Sequence, residues 1–264
     1  MRLSISSWTL HGLLSSTVPL MDIPEQIARR GFHTLEVCHF HFPSTDAGYL
    51  TEFRAALRAA EVELYSILID RGDITAPDVA TREADLLLTR QWIEVAAALG
   101  AACVRVDAGQ QSPTDDIVRL SAANLAGLAR FSNSVGVRTI TENWRETSRY
   151  PIPLLEILDR CEGSVGLCAD LGNAEGPDKY ETLKLLLPRA TSIHYKARYG
   201  VDGHINSSDR DACKALIDNA GFSGPISLIY SDTQNEWGAV DQLKEAVTAS
   251  FPALRAADQS ASVR

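Results

Sequence analysis

Apolar and polar positions follow two rhythms along this chain. Short apolar runs, such as those around Leu3, Val104 and Ile226, read as strands, while longer stretches repeat apolar residues every three or four positions and read as helices. Strand-like runs begin near Leu3, His33, Val62, Ala102, Val137, Val165, Ala190 and Pro225. Their spacing of roughly thirty residues is the length of a strand, its helix and the return. Residues 81–99 set Ala84, Leu87, Leu88, Trp92, Val95 and Leu99 on one stripe; residues 114–134 and 208–220 behave alike, with Ser208 or Asp209 expected to cap the latter. Glycines at Gly31, Gly100, Gly136, Gly163 and Gly221 stand where helices should end and strands begin. The alternation predicts a parallel sheet with crossover helices, and the economical form is a single closed (β/α)8 barrel. An open doubly wound sheet is the alternative, but its Gly-rich first turn is missing. The barrel is expected over residues 1–252, with 253–264 as a flexible C-terminal tail.

Composition narrows the function. A chain of 264 residues is the usual size for one such barrel. The formal net charge of −9 argues against a nucleic-acid partner, which would need a basic surface. No apolar stretch is long enough for a membrane span, the first residues form no signal-type apolar region, and the five cysteines contain no C-x-x-C pair. A cytoplasmic protein with buried thiols is expected.

Candidate chemistry sits at the ends of three successive strands: Glu142, Asp170 and His194. Such ends converge at one mouth of an α/β barrel, where that fold builds its active sites. Two carboxylates and an imidazole suit one divalent metal per chain, with Mn²⁺, Mg²⁺, Co²⁺, Fe²⁺ and Zn²⁺ all open. Lys196 and Arg198 follow His194 at alternate positions, so an extended strand would turn all three the same way. They are either substrate-facing groups, with Lys196 as an acid or base, or solvated loop cations. Arg105, inside an apolar strand, needs a partner: Glu36 or Glu142 across the mouth, or a substrate anion. His39 and His41 are expected to touch a polyol substrate, to line the wall, or to form a second metal site. Trp8, with His11 close behind, is a natural plate for a sugar face, and Trp144 and Tyr230 suit the same task. Asp70-Arg71-Gly72-Asp73 reads as a self-paired charged turn.

Glu142-Asn143-Trp144, Asp170-Leu171-Gly172-Asn173 and His194-Tyr195-Lys196 resemble the motifs on strands five to seven of the xylose-isomerase-like TIM barrels. Gly31-Phe32-His33-Thr34-Leu35-Glu36 is similar to that family's second strand, and the run from Gly221 to Leu228 to the start of its eighth. The resemblance implies sugar isomerase or epimerase chemistry on a small polyhydroxylated substrate, through an enediolate-type intermediate. It makes Glu142, Asp170 and His194 metal ligands and Glu142 a base; Lys196 is expected as the second catalytic group, with Glu36, Asn143, Arg105 and Arg198 beside the substrate. The chain departs from the pattern at strand eight, where Ser227-Leu228-Ile229-Tyr230 carries isoleucine in place of a glutamate ligand. Asp232 or Glu236 would have to reach back, or the position stays open to water or substrate. Two-base epimerisation loses one of its bases. A lyase or dehydratase using one-sided proton abstraction, and a barrel that binds without turnover, are therefore the alternatives, and a homo-oligomer is left open.

Overall fold

Eight parallel strands pair in chain order and close on themselves in the computed structural model, which describes residues 1–201, 203–252 and 254. They are β1 (Arg2–Ser6), β2 (Thr34–Cys38), β3 (Glu63–Ile69), β4 (Cys103–Val106), β5 (Arg138–Glu142), β6 (Val165–Asp170), β7 (Ala190–Lys196) and β8 (Pro225–Ile229). Each begins within one residue of its apolar run. Because β1 pairs with both β2 and β8, no strand edge is left over. Helices cover the outer face of the barrel, so a strand such as β6 is buried at every position.

The helices carry ordinary stop and start chemistry. Asp78 accepts a hydrogen bond from the Thr81 amide to open the helix Val79–Leu99, and Gly100 ends it at φ 76°. Thr114 caps Asp115–Ser134. The helix Ser207–Asn219 is capped by Asn206, whose Oδ1 accepts from the Asp209 amide at 3.0 Å, and not by Ser208 or Asp209. Asp209 lies one turn inside and accepts a hydrogen bond from the buried Lys179 at 2.6 Å, a pairing across elements that no local pattern reveals. Within the expected tail, Leu254 is buried in the core; the remainder of 253–264 lies outside the described residues.

Two features of the frame aim the mouth. The pairing register slips by one residue between Leu35 and Glu36 and again between Leu167 and Cys168, and such irregularities re-aim side chains. The barrel seam is fastened at Thr9, which donates to the Leu228 carbonyl at 2.8 Å and accepts from the Tyr230 amide at 3.1 Å. Beside it the Glu236 carboxylate accepts the Gly12 and Leu13 amides at 2.6 and 2.8 Å.

Candidate active site

Parallel strands present alternate residues to the barrel interior, so the last inward position of each becomes part of the mouth. Register sets Asp170 beside His194 on β6 and β7, and Glu142 one strand away on β5. His194 Nδ1 lies 3.6 Å from Glu142 Oε1 and 3.7 Å from Asp170 Oδ2. The three side chains singled out at the strand ends therefore converge, each with 4% or less of its surface exposed. The other ring nitrogen, Nε2, meets Glu36 Oε2 at 2.9 Å. Glu36 is fully buried behind the imidazole, where it fixes the ring and takes no place among the groups that line the cavity.

The remaining lone pairs decide what the cluster can hold. Asp170 Oδ1 accepts the Gly172 and Asn173 amides at 2.6 and 2.9 Å, which leaves Oδ2 turned to His194. Glu142 Oε1 accepts from Asn173 Nδ2 at 2.9 Å. Glu142 Oε2 is buried against the Arg105 guanidinium, and Glu36 Oε1 is buried without a hydrogen bond. Beneath them the Cys168 sulfur joins Glu142 and His194 in a set whose donor atoms lie within 4.8 Å of one another. Burial alone would push the imidazole down, but Cys168, Glu36, Glu142 and the Asp170 hydrogen bond hold the His194 pKa well above its usual value. For Asp170, too, burial acts upward and is outweighed by His194, Lys196 and the Asn173 amide, so the carboxyl stays below the usual range. Carboxylate oxygens of Glu142 and Asp170 turned to the same His194 nitrogen, with the Glu36 carboxylate bracing the far ring nitrogen, are a donor set that fits a divalent cation.

Arg105 organises the carboxylates on the neighbouring side. Its guanidinium lies 2.5 Å from Asp70, 2.5 Å from Asp107 and 3.0 Å from Glu142. Of the two partners expected for it, Glu142 is met and Glu36 is not, because Glu36 is committed to His194. The self-paired turn at Asp70–Asp73 is also corrected: Asp70 pairs with Arg105, and Asp73 accepts from Thr75, Gln110 and Gln111. Burial raises the Asp107 carboxyl to about 6 in spite of Arg105.

The mouth opens into a cavity of about 250 Å³ lined by Trp8, Arg105, Glu142, Trp144, Asp170, Asn173, His194, Lys196 and Ile229 among others. A second cavity of about 560 Å³ shares Lys196 and Ile229 with it. Lys196 lies against Gly172, where a Cβ would come within 2.5 Å of the lysine Cδ. Arg198, by contrast, stands beyond the end of β7 and is exposed, so the alternation that would have turned it inward does not reach it. Asn143 is turned away from the cavity, tying β5 to β6 by accepting from the Asp170 amide at 2.7 Å and donating to the Asp170 carbonyl at 2.9 Å. Ile229 faces the cavity beside Lys196, and neither acid downstream replaces it: Glu236 is held by Gly12 and Leu13, and Asp232 accepts from the Gln234 amide.

The histidines expected near the substrate form a wall. Ser7 Oγ accepts the Cys38 amide at 2.8 Å and shares a proton with His41 Nδ1, 2.8 Å away, while His41 Nε2 shares one with His11 Nδ1 at 3.0 Å. Burial, with His11 alongside, lowers the His41 pKa to about 4. Trp8 stacks on His11 with ring centroids 5.2 Å apart and presents itself to the cavity. His39 accepts from the Asp70 amide at 3.3 Å and packs edge-on against Trp92 and Phe40. Asn173, Asp70, Asp107 and Cys168 were not foreseen. The Asn173 position in the strand-six motif was the only local hint among them.

A family model described as xylose isomerase-like TIM barrel matches residues 24–253. Similar solved structures include an L-ribulose 3-epimerase, at 18% identity and TM-score 0.76, covering 100% of this chain and 98% of that one. The IOLI protein with a bound zinc atom aligns at 15% identity and TM-score 0.77, over 95% of this chain and 98% of its own. The probable 3-DHS dehydratase AsbF of Bacillus anthracis aligns at 15% and 0.72, over 94% and 98%. At such identities the likeness is one of fold. Among curated proteins none matches the sequence.

Proposed function

Because this chain belongs to the xylose isomerase-like TIM barrel family, we propose that it is a divalent-metal-dependent enzyme that isomerises a sugar or keto-sugar. The observation that carries this is the convergence of Glu142, Asp170 and His194 at the cavity floor, with Glu36 bracing the imidazole from behind. A divalent cation held by those three side chains would polarise the substrate carbonyl and offset the negative charge that develops on its oxygen.

The protein's own groups do the rest. Trp8 and Trp144 offer apolar faces to the carbon skeleton. Glu142 takes the proton from the carbon beside the carbonyl, leaving an enediol-type intermediate, and returns it to the neighbouring carbon. Lys196 donates a proton to the oxygen that gains charge and recovers one from the neighbouring hydroxyl as that carbon becomes the new carbonyl. Ile229 offers no second carboxylate across the ring of strands, so proton removal and return share one face. This favours isomerisation over the two-base inversion of an epimerase. The same feature supports a second reading, a dehydratase in which Glu142 removes the proton and Lys196 protonates a departing hydroxyl.

Proton abstraction is read directly in D₂O. The metal-loaded protein is expected to introduce deuterium beside the carbonyl of an accepted ketose or aldose, followed by nuclear magnetic resonance, with formation of the isomeric sugar. Deuterium uptake with loss of water supports the dehydratase. No exchange in any sugar or keto acid tried with Mn²⁺, Mg²⁺, Co²⁺ or Zn²⁺ would leave a barrel that binds without turnover.

A further inference from the structure

We propose that Cys168 supplies the donor that Ile229 withholds, giving a sulfur-containing centre that selects zinc, or another thiophilic divalent ion, over magnesium and manganese. The inference rests on the metal-centre reading above and deepens it. Cys168 stands directly across from Glu142 in the β5–β6 register and two residues before Asp170, so both β6 side chains turn to the same interior. Its sulfur, the Glu142 carboxylate and a His194 nitrogen already lie within 4.8 Å of one another. The β6–β7 register shift falls at Cys168 itself.

The acids downstream of Ile229 do not line this cavity. Glu236 is tied to Gly12 and Leu13, and Asp232 is exposed, with one oxygen accepting the Gln234 amide. Glu36 meets the Nε2 side of His194, whereas Glu142 and Asp170 face Nδ1, so the Glu36 carboxylate stands behind the ring. The sulfur is fully buried, in a layer shared with Tyr65, Cys103 and Ile140, and is grouped with Glu142 and His194 and not with Asp170. On binding, the S–H bond gives up its proton to solvent and the sulfur lone pair forms the bond to the ion, as expected where a coordinating thiol is deprotonated by its metal. Thiolate ligands favour zinc and similar ions, whereas magnesium and manganese prefer all-oxygen surroundings.

The test loads the whole protein, stripped by chelator, with Zn²⁺ and with Co²⁺. X-ray absorption of the zinc form is expected to show one sulfur neighbour at about 2.3 Å besides nitrogen and oxygen at about 2.0–2.2 Å. The cobalt form is expected to show a sulfur-to-metal charge-transfer band in the near ultraviolet, lost in Cys168→Ser. Losing even an outer partner of a ligand costs about 10–100-fold in affinity, so Cys168→Ser should weaken zinc binding by about 100-fold or more while moving manganese affinity little. Adding Ile229→Glu to that variant should restore a tight site that now prefers manganese. Bound zinc with only nitrogen and oxygen neighbours overturns the sulfur donor and leaves the three-residue centre standing. No binding of zinc, cobalt, manganese or magnesium overturns both.

Discussion

The two halves of the barrel mouth are built on opposite principles. On the β4–β7 side, Arg105, Glu142, Asp170 and His194 are buried ionic groups that hold one another by charge. On the β8–β2 side, Ile229 is apolar, and Trp8 is backed by His41 and His11, which pass a chain of neutral hydrogen bonds from Ser7. Two imidazoles 3.0 Å apart cannot both be protonated without repulsion, and burial keeps His41 the neutral one. The contrast separates the two halves by chemistry: one gathers buried, paired charges, and the other is apolar with hydrogen-bonded imidazoles.

The hardest blow to the charged half is Arg105→Met, which leaves Asp70, Asp107 and Glu142 without their common partner. Removing one member of a buried ionic group costs about 3–5 kcal/mol, and urea unfolding should record a loss of that size. A loss below about 1 kcal/mol would mean that charge pairing does not hold this half together. Glu36→Gln keeps the shape behind His194 and removes the charge, so zinc affinity measured by calorimetry should fall about 10–100-fold with little change in Tm. Unchanged affinity would show that the ring needs no bracing carboxylate.

Gly172→Ala tests the border between the halves. The new Cβ would meet the Lys196 Cβ and Cγ at 2.7 Å, atoms next to the backbone that cannot swing clear. Overpacking of this kind costs about 1–3 kcal/mol, and with Lys196 displaced kcat should fall more than KM rises. The smallest effect belongs to the neutral wall. The folded pKa of His41, about 4, lies below the roughly 6.5 of an unfolded histidine, so the unfolded chain binds the proton first as pH falls. The stabilisation is present above about pH 6.5 and lost toward pH 4, on the order of 1 kcal/mol once partial exposure is allowed for. His41→Asn should flatten the pH dependence of thermal unfolding by that amount; an identical slope would remove His41 from the account.

The frame was more legible than the roles. Strand starts follow from apolar runs closed by polar residues, a local signal, and all eight fall where that signal puts them. Glu142, Asp170 and His194 could be named because each ends a strand, and the fold then brings strand ends together. What escaped depends on partners far along the chain. Glu36 and Asn143 looked like substrate contacts, yet one braces His194 and the other ties β5 to β6. Asp70 seemed paired to its neighbour until β4 supplied Arg105, and Asn206 took the capping role because Asp209 was claimed by Lys179. Cys168 read as one more buried thiol, since nothing in its neighbours along the chain announces that Glu142 stands opposite.

The bond between Glu36 and His194 joins residues 158 positions apart, about three-fifths of the 264-residue chain. A growing chain that has produced β2 through β6 therefore owns its carboxylates but not the imidazole that unites them. Closing so long a loop is entropically costly, and the enclosure becomes worthwhile only once β7 and β8 dock on β1. The contact that unites these carboxylates therefore waits on β7, the fifth strand to follow β2. Until then Glu36, Glu142 and Asp170 lack the imidazole they share.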